Sequence, residues 1–426
     1  MTASPLPALG RLESLDLRGI RLGLAAIDEV SARLGRPERA VESVLVAGTN
    51  GKGSTAATLS SIGEAAGLAT GLYTSPHLES VAERIRIRGE DVRPGELDAM
   101  LAEVFAAADR APVLALTYFE AMTAAAFLTF ARRRLDLAVL EVGMGGRLDA
   151  TNVAPASVSV VTSIGLDHVE DLGPTLESIA REKAGVFRAG RPALTVSREP
   201  AVRAVFREAA ARAGAELHEL AEEARVLVHS AGLDGTRLRL ETPVASYELD
   251  TPLAGPHQAE NVAAAVRAAE LLRPAIGAGA VARGVASARW PGRLERFVAR
   301  GRTVLVDGCH NADGAAALAR FVTGAGLSPD LVFGAMADKD IESMSAALGS
   351  VVRRIRLVPA GSPRAASPED LRRRFSGSRP DARTAPGLAA ALEELLGDPA
   401  CETIIVAGSL YLVGEARTLL LSGSFV

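Results

Sequence analysis

Lysine is nearly absent from this chain: only three of its 47 basic residues are lysines, at positions 52, 183 and 339, and the rest are arginines. Arginine is a planar fork that stays protonated, whereas lysine is a slim point charge that can also lose its proton and act as an amine. We therefore expect Lys52 and Lys183 to serve roles that arginine cannot fill. Lys339, in GAMADKD, has no evident need for an amine.

Several other scarcities exclude classes of protein. Two cysteines, Cys309 and Cys401, cannot build a disulfide framework or a four-cysteine zinc site, which fits a reducing compartment. A net charge of −4 leaves no basic footprint for nucleic acid. No apolar run approaches a membrane span, and MTASPLPALGRLESL lacks the pattern of a signal peptide. We expect a cytoplasmic protein without nucleic-acid or membrane partners, and 426 residues predict two domains.

Apolar runs of strand length alternate with longer amphipathic segments, which predicts an α/β fold with a mostly parallel sheet and helices on both faces. Strands are expected at 43–48, 68–75, 135–143 and 157–165, and helices at about 54–66, 117–134 and 175–188. Polar–apolar alternation over 223–252 indicates a small antiparallel patch, followed by helices at 257–273 and 277–288. After a junction in ARWPGRLERF (288–297), strands at 303–308, 330–335, 354–360 and 402–408 predict a second α/β series.

The motif GTNGKGS (48–54) lies between a predicted strand and a predicted helix, which is the context of a phosphate-binding loop. Glycines allow backbone N–H groups to converge on phosphate oxygens, and the helix N-terminus adds positive potential. Lys52 would reach the terminal phosphates. Val46 stands where the common Walker spacing has its first glycine, and a purely structural glycine turn is the alternative. No guanine-reading motif is present, so ATP is favoured over GTP.

Three polar residues follow predicted strand ends and could bind Mg²⁺. Glu141 ends a strand expected beside that of the phosphate loop, Ser75 ends the next strand, and His168 follows another. Ligands bind at the carboxyl ends of strands in open α/β sheets, and Mg²⁺ prefers oxygen ligands. Alternatively, Glu141 could pair with a helix N-terminus, and His168 could be structural.

Lys183 lies on a predicted helix, ESIAREKAGVF. An ammonium beside Mg²⁺ would be repelled, but a neutral amine can react with CO₂ to form a carbamate, which is an anionic oxygen ligand. The alternative is a surface lysine that pairs with Glu182 or Glu177.

An ordered series of motifs extends over nearly the whole chain: GTNGKGS, YTSPHL, ERIRIRG, TYFE, EVGMGGRLDATN, TSIGLDHVEDLGPTLESIAREKAG, HQAEN, WPGR, DGCHN, GAMADKD and GSLYLVGE. With these motifs the chain resembles the folylpolyglutamate synthase and dihydrofolate synthase family of the Mur-ligase superfamily. The resemblance implies an N-terminal P-loop ATPase domain that binds ATP and pterin or folate (1–290). It also implies a smaller Rossmann-like α/β domain (295–426) that contributes nucleotide and glutamate contacts.

The resemblance also implies residue roles. Those that would hold ATP are Thr49, Asn50, Gly51, Lys52, Gly53, Ser54, Asn261, Arg293, Asp307 and His310. Ser75 and Glu141 would bind one Mg²⁺, and Glu141, His168 and a carbamylated Lys183 a second. Those that match segments lining a pterin pocket are Thr117, Tyr118, Phe119, Leu148, Asp149 and Ala150, with a lesser contribution expected around 14–16.

The implied activity is that of a monomeric, bifunctional ligase that adds L-glutamate to dihydropteroate and to the γ-carboxylate of reduced folates. Catalysis would fall to Lys52, Glu141, His168 and Lys183. Three positions depart from the family pattern: Cys309, Ala312, and Arg21, where some bifunctional members carry Asp. The alternatives are a monofunctional folylpolyglutamate synthase, a cell-wall ligase and a non-catalytic nucleotide-binding protein.

Overall fold

The computed structural model describes residues 6–15, 23–423 and 425. The chain divides into two compact units that are interleaved along the sequence. Among the described residues, one comprises 6–15, 23–227, 239–249 and 260–288, and the other comprises 228–238, 250–259, 289–423 and 425. In the described ranges, no helix is both long enough and apolar enough to cross a membrane.

The first unit is built on an eight-stranded sheet with the order β4-β3-β2-β5-β1-β6-β7-β8. Its strands are β1 Glu42–Ala47, β2 Thr70–Tyr73, β3 Ile85–Ile87, β4 Glu90–Asp91, β5 Leu137–Glu141, β6 Val158–Val161, β7 Pro192–Thr195 and β8 Glu216–Glu219. Strands β3 and β4 pair antiparallel at one edge, and the remaining neighbours pair parallel. The central strands are buried along their length, because both faces of a parallel sheet are covered by helices.

The helices of this part of the chain are α1 Pro7–Leu15, α2 Ala25–Arg33, α3 Lys52–Ala65, α4 Pro94–Ala108, α5 Tyr118–Arg132, α6 Val169–Leu172, α7 Leu176–Lys183, α8 Pro200–Ala213 and α9 Leu220–Glu223. Local sequence determines several of their ends. Helix α5 begins with a capping box in which Thr117 and Glu120 satisfy each other's backbone N–H groups. Helix α8 begins at Pro200 and ends at Ala213, and Gly214 follows it with a φ of 68°, which suits glycine.

The chain continues through a three-stranded sheet, order β11-β10-β9, with β9 Arg225–Gly232, β10 Gly235–Glu241 and β11 Ser246–Thr251. Helices α10 His257–Leu272 and α11 Ala278–Ser287 follow. The small sheet and both helices agree with the expectation for this part of the sequence.

The second unit contains a six-stranded sheet, order β12-β13-β17-β14-β15-β16, parallel except for the β12–β13 pair. Its strands are β12 Glu295–Ala299, β13 Arg302–Asp307, β14 Asp330–Phe333, β15 Ile355–Leu357, β16 Arg383–Thr384 and β17 Thr403–Ala407. Its helices are α12 Ala312–Gly324, α13 Ile341–Gly349, α14 Pro368–Phe375, α15 Leu388–Gly397 and α16 Leu410–Leu421. The two cysteines are buried and do not form a disulfide.

Several predicted elements are shorter than expected. The strands predicted over 68–75, 135–143 and 354–360, for example, extend only over Thr70–Tyr73, Leu137–Glu141 and Ile355–Leu357. The strand predicted over 157–165 ends at Val161, because the residues after it turn to hold the phosphate loop, as described below. The helix predicted over 175–188 ends at Lys183 and continues only as a 3-10 turn over Ala184–Val186.

Candidate active site at the carboxyl edge of the N-terminal sheet

The loop between β1 and α3 has the geometry of a phosphate-binding loop. Gly48 has a φ of 146° and Gly51 a φ of 85°, and a side chain at either position would collide with Thr162 or Asn261 respectively. Residues after β6 hold the loop: the Thr49 N–H donates to the Ser163 carbonyl at 2.7 Å, and the Thr162 hydroxyl donates to the Asn50 carbonyl at 2.7 Å. The loop is therefore fixed from a neighbouring strand, and Gly53 and Ser54 begin the buried face of α3.

The ammonium groups of Lys52 and Lys183 meet at this loop. Lys52 Nζ donates to the carbonyls of Gly48 and Thr49 at 3.1 and 3.0 Å, and Lys183 Nζ donates to the carbonyl of Gly48 at 2.8 Å. Lys183 is only 5% exposed. Burial first, and the charge of Lys52 second, lower the pKa of Lys183 from 10.5 to about 7, although Asp167 and Asp149 oppose the shift. The interpretation of Lys183 as a surface lysine paired with Glu182 or Glu177 is therefore wrong.

Glu141 lies one strand away from the loop, as predicted. Strand β5 pairs with β1 in the register Val46↔Glu141, so Glu141 ends its strand next to the start of the phosphate loop. Its side chain is buried, and its carboxylate accepts a hydrogen bond from the Ser75 N–H at 3.1 Å. Ser75 follows β2, which pairs with the other side of β5. The structure thus brings together Lys52, Lys183, Glu141 and Ser75.

His168 lies after β6, at the start of the short helix α6. It is exposed and adopts a left-handed conformation with a φ of 51°, and its N–H bonds to the Asp167 carboxylate at 3.0 Å. In the described ranges, no group of three or more His, Cys, Asp and Glu side chains could hold a metal ion. Any ion at this edge of the sheet would therefore need further oxygen ligands beyond Glu141 and Ser75.

The two segments predicted to line a pterin pocket converge beside Glu141. A Cβ on Gly143 would lie 2.6 Å from the Phe119 ring and 3.2 Å from the Asp149 carboxylate, so both side chains approach this glycine. Asp149 is buried, and burial raises its pKa despite hydrogen bonds from Thr151 and the Met144 N–H. Leu148 and Ala150 flank it in sequence, and Tyr118 is half-buried in the first turn of α5. Of the expected contribution around 14–16, Asp16 lies outside the described residues, as does Arg21.

Sequence reasoning assigned no role to His77 or Arg84, which lie near this cluster. Arg84 donates from Nε to Nδ1 of His77 at 2.9 Å, and its guanidinium lies 4.9 Å from the centre of the Tyr118 ring. Both residues belong to motifs, YTSPHL and ERIRIRG, that carried the resemblance. Their presence there was the signal that could have identified them.

The remaining predicted nucleotide residues belong to different units of the fold. Asn261 is in the first unit, where its amide oxygen faces Gly51 of the phosphate loop. Arg293, Asp307 and His310 are in the second. There the Asp307 carboxylate accepts from the N–H groups of Leu294 and Cys309, both at 3.0 Å, and His310 Nδ1 bonds to the Gly308 carbonyl at 2.9 Å. Arg293 approaches Gly308, so these three residues cluster after β13.

Comparison with known proteins agrees with this arrangement. Residues 46–269 match the Mur ligase middle domain, and residues 292–410 match the Mur ligase glutamate ligase domain. The dihydrofolate synthase/folylpolyglutamate synthase of Escherichia coli is 37% identical over 98% of this chain and 96% of its own length. A probable bifunctional folylpolyglutamate synthase/dihydropteroate synthase of Haloferax volcanii is 38% identical over 95% of the chain, which spans only 49% of that longer protein.

Solved structures show the same fold. Mycobacterium tuberculosis folylpolyglutamate synthase complexed with ADP superposes with a TM-score of 0.90 at 35% identity, covering 97% of this chain and 98% of that one. Escherichia coli FolC in complex with DHPP and ADP superposes with a TM-score of 0.89 at 34% identity, covering 99% of this chain and 98% of that one. The Yersinia pestis folylpolyglutamate synthase/dihydrofolate synthase complexed with AMPPNP and Mn gives 0.87 at 32% identity, covering 98% of both chains. The chain therefore belongs to the dihydrofolate synthase/folylpolyglutamate synthase family of Mur ligases.

Proposed function

We propose that this protein is an ATP-dependent ligase that joins L-glutamate to dihydropteroate and to the γ-carboxylate of reduced folates. The observation that carries the proposal is the cluster at the carboxyl edge of the N-terminal sheet, where Lys52 and Lys183 contact the Gly48 carbonyl and Glu141 ends the adjacent strand. The related ligases with bound ADP, AMPPNP or DHPP support the same substrates for this chain.

A carboxylate does not condense with an amine in water, because it is a poor electrophile. In the proposed reaction one carboxylate oxygen of the acceptor acid attacks the γ-phosphorus of ATP. The bond from that phosphorus to the β,γ-bridging oxygen breaks, and ADP leaves. The amine of L-glutamate then attacks the carbonyl carbon of the acyl phosphate, and inorganic phosphate leaves as the amide forms. Lys52 would neutralise charge on the phosphates, and the loop would position them.

Magnesium fits the residues present at this edge of the sheet. The buried Glu141 carboxylate and the Ser75 hydroxyl are oxygen donors of the kind that Mg²⁺ prefers, and Mg²⁺ usually completes its shell with phosphate oxygens and water. That preference accounts for the lack of a complete ligand set among the described side chains. We assign one ion to Ser75 and Glu141, and a second to Glu141, His168 and Lys183. When bound, such ions neutralise phosphate charge.

We assign Lys183 a carbamate formed with CO₂. A protonated ammonium cannot bind a cation, but a pKa of about 7 leaves a large neutral fraction at physiological pH. The neutral amine can attack CO₂, and loss of a proton then gives an anionic oxygen donor. Arginine has no equivalent chemistry, which accounts for a lysine here in a chain that otherwise uses arginine.

The remaining assignments follow the sequence interpretation. Residues 1–290 would bind ATP and the pterin, with Thr117, Tyr118, Phe119, Leu148, Asp149 and Ala150 along the pterin pocket. Residues 295–426 would contribute the nucleotide contacts of Arg293, Asp307 and His310, as well as glutamate contacts. The match of residues 292–410 to a glutamate ligase domain supports the last of these.

The test is ADP release by the purified protein with L-glutamate and dihydropteroate, and separately with L-glutamate and tetrahydrofolate. We expect acceptor-dependent release with both acids, with amide products confirmed by mass spectrometry. Activity with tetrahydrofolate alone would establish a monofunctional folylpolyglutamate synthase instead. ATP binding without glutamate-dependent turnover would refute the ligase assignment.

A further inference from the structure

Arg84 has an unusual set of partners for an arginine of this chain. It ends a 3-10 helix, Val81–Arg84, and donates from Nε to Nδ1 of His77 at 2.9 Å, while its guanidinium stacks over Tyr118 at 4.9 Å. A guanidinium can only donate, so Nδ1 of His77 must accept, and the imidazole is held neutral with its proton on Nε2. Arg84 is thus fixed by one neutral ring acceptor and one aromatic face.

The positive charge of Arg84 has no carboxylate counterpart within the described residues. Its neighbour Arg86 pairs with Asp91 at 2.8 Å, and Arg133 pairs with Glu96 at 2.6 Å. Arg84 is half-buried and forms no ion pair in the described part of the chain, where its two terminal nitrogens also donate no hydrogen bond. These nitrogens are the pair that binds a carboxylate in a fork-to-fork arrangement. A pre-oriented, uncompensated guanidinium of this kind is suited to an anionic ligand.

Arg84 also connects the two halves of the proposed site. Its carbonyl accepts from the Thr74 N–H at 2.9 Å, and the next residue, Ser75, donates its N–H to Glu141. On its other side, Tyr118 begins α5 beside Phe119, whose ring approaches Gly143, as the Asp149 carboxylate also does. The guanidinium therefore lies against a residue of the segment predicted to line the pterin pocket, and the backbone of Arg84 supports the segment that reaches Glu141.

We propose that Arg84 binds the reacting carboxylate of the acceptor acid, and that His77 and Tyr118 position the guanidinium for it. The inference rests on the proposed function and names the residue that recognises its substrate acid. One carboxylate oxygen bound to Arg84 would leave the other directed at the γ-phosphorus. Dihydropteroate presents its aryl carboxylate for activation and a folate presents its γ-carboxylate. If Arg84 binds whichever carboxylate is activated, both acceptors should depend on it.

The experiment compares Arg84→Gln and Arg84→Lys with the parent enzyme and with Arg88→Gln, which changes an exposed arginine four residues away. KM is measured separately for dihydropteroate, tetrahydrofolate, ATP and L-glutamate, and thermal unfolding is followed for each variant. In Arg84→Gln we expect KM for both acceptor acids to rise about 10- to 100-fold, as for a lost hydrogen bond to a charged group. KM for ATP and the unfolding temperature should stay near parental values. Arg84→Lys, which keeps the charge but loses the fork, should give an intermediate KM.

Parental KM for both acids in Arg84→Gln would overturn the inference. A rise in KM for ATP alone, for L-glutamate alone or for tetrahydrofolate alone would also overturn it, since each result would show that the guanidinium binds a different anion. Because the parent enzyme is assayed in parallel, a failure of the proposed function would appear as absent ligase activity in the parent. A failure of the Arg84 inference alone would leave that activity intact.

Discussion

Lys52 and Lys183 donate hydrogen bonds to the same carbonyl oxygen, that of Gly48, at 3.1 and 2.8 Å. Two ammonium groups this close repel one another, and only Lys183 is buried. The pKa of Lys183 is accordingly lowered to about 7, by burial first and by Lys52 second. Lys52 is therefore suited to neutralise phosphate charge, whereas Lys183 is suited to lose its proton.

The lowered pKa makes stability depend on pH. Between about pH 7 and 10.5 the unfolded chain binds a proton at Lys183 that the folded chain does not, so stability rises with pH across that window. Below pH 7 the full cost of burying the charge is present. We expect Lys183→Met to unfold at a higher urea concentration than the parent at pH 6.5, and the difference should shrink toward pH 9.5. The measurement is urea unfolding in EDTA without bicarbonate.

The matched control for this series is Lys339→Met, which removes a half-buried lysine in the second unit. Its difference from the parent should not change with pH over the same range. A pH-independent difference for Lys183→Met would show that the amine titrates normally, and that its burial has no electrostatic cost.

Carbamate formation gives a second prediction for the same residue. The carbamate needs a neutral amine and CO₂, so activity should rise on adding bicarbonate to a decarbonated enzyme and should do so more at pH 8 than at pH 6.5. Lys183→Ala should have little activity, and short carboxylic acids should restore part of it by supplying the missing oxygen ligand. A carbonyl resonance from ¹³C-bicarbonate, present in the parent and absent in Lys183→Ala, is the direct measurement. An unaffected Lys183→Ala variant would exclude the carbamate.

Lys52→Ala tests the phosphate loop. Removing a charge that neutralises the transferred phosphate should cost about 3 kcal/mol of transition-state stabilisation, or roughly 100-fold in kcat/KM for ATP. Lys52→Arg should recover little of the loss, since the bulky fork cannot replace a point charge beside the Gly48 carbonyl. ADP release is the measurement, and full activity in Lys52→Ala would refute the role of this residue.

Much of this site was predictable because it follows from strand order. The prediction that Glu141 lies beside the phosphate loop required only that two buried strands be neighbours in the sheet. The register Val46↔Glu141 confirms that they are. The burial of Lys183 was not predictable in the same way. Its helix is short and carries charges on several faces, so periodicity alone could not decide between the site and a pairing with Glu182.

Contacts between segments far apart in the sequence also limited what could be predicted from the sequence. The strand after residue 157 was predicted too long, because Thr162 and Ser163 leave the sheet to hold the carbonyl of Asn50 through their hydroxyls, and no local pattern encodes that tertiary contact. Arg84 was missed for a similar reason, since its meaning depends on Tyr118, which lies 34 positions later. Site residues were thus predictable where the order of the strands placed them side by side, and were missed where they depend on contacts between distant segments.

Glu141→Gln tests the acidic anchor with nearly unchanged shape. The amide oxygen can still accept from the Ser75 N–H, so the fold should persist, but the negative charge that attracts a divalent cation is lost. We expect kcat to fall by roughly 100-fold or more, with a raised requirement for Mg²⁺. The measurement is ADP release across a magnesium titration, with Glu170→Gln as control because Glu170 is exposed in the nearby helix α6. A parental magnesium dependence would show that Glu141 does not contact the ion.

Asp330 gives a prediction for the stability of the second unit. Its side chain is fully buried at the start of β14, and Arg353 and Arg354 each donate two hydrogen bonds to it, at distances between 2.6 and 3.2 Å. Burial alone would raise the pKa of Asp330, but the hydrogen bonds from Arg354 and Arg353 outweigh it and hold the pKa well below its ordinary value. The ionised carboxylate therefore stabilises the fold at neutral pH, and that contribution is lost as pH falls below about 4 toward the folded-state pKa.

We expect Asp330→Ala to lower the free energy of unfolding by roughly 2 kcal/mol at pH 7, less than for a wholly buried pair because the two guanidiniums are about one-third exposed. The difference from the parent should narrow as pH falls below about 4, because the unfolded chain then binds a proton at this carboxylate that the folded chain does not. The control is Asp234→Ala, which removes an exposed partner of Arg296 in the same unit and should change stability by less than about 0.5 kcal/mol. Equal effects of the two variants would show that the buried network contributes no more than a surface ion pair. Urea unfolding at pH 7 and at about pH 3, below the ordinary pKa of an aspartate, provides both comparisons.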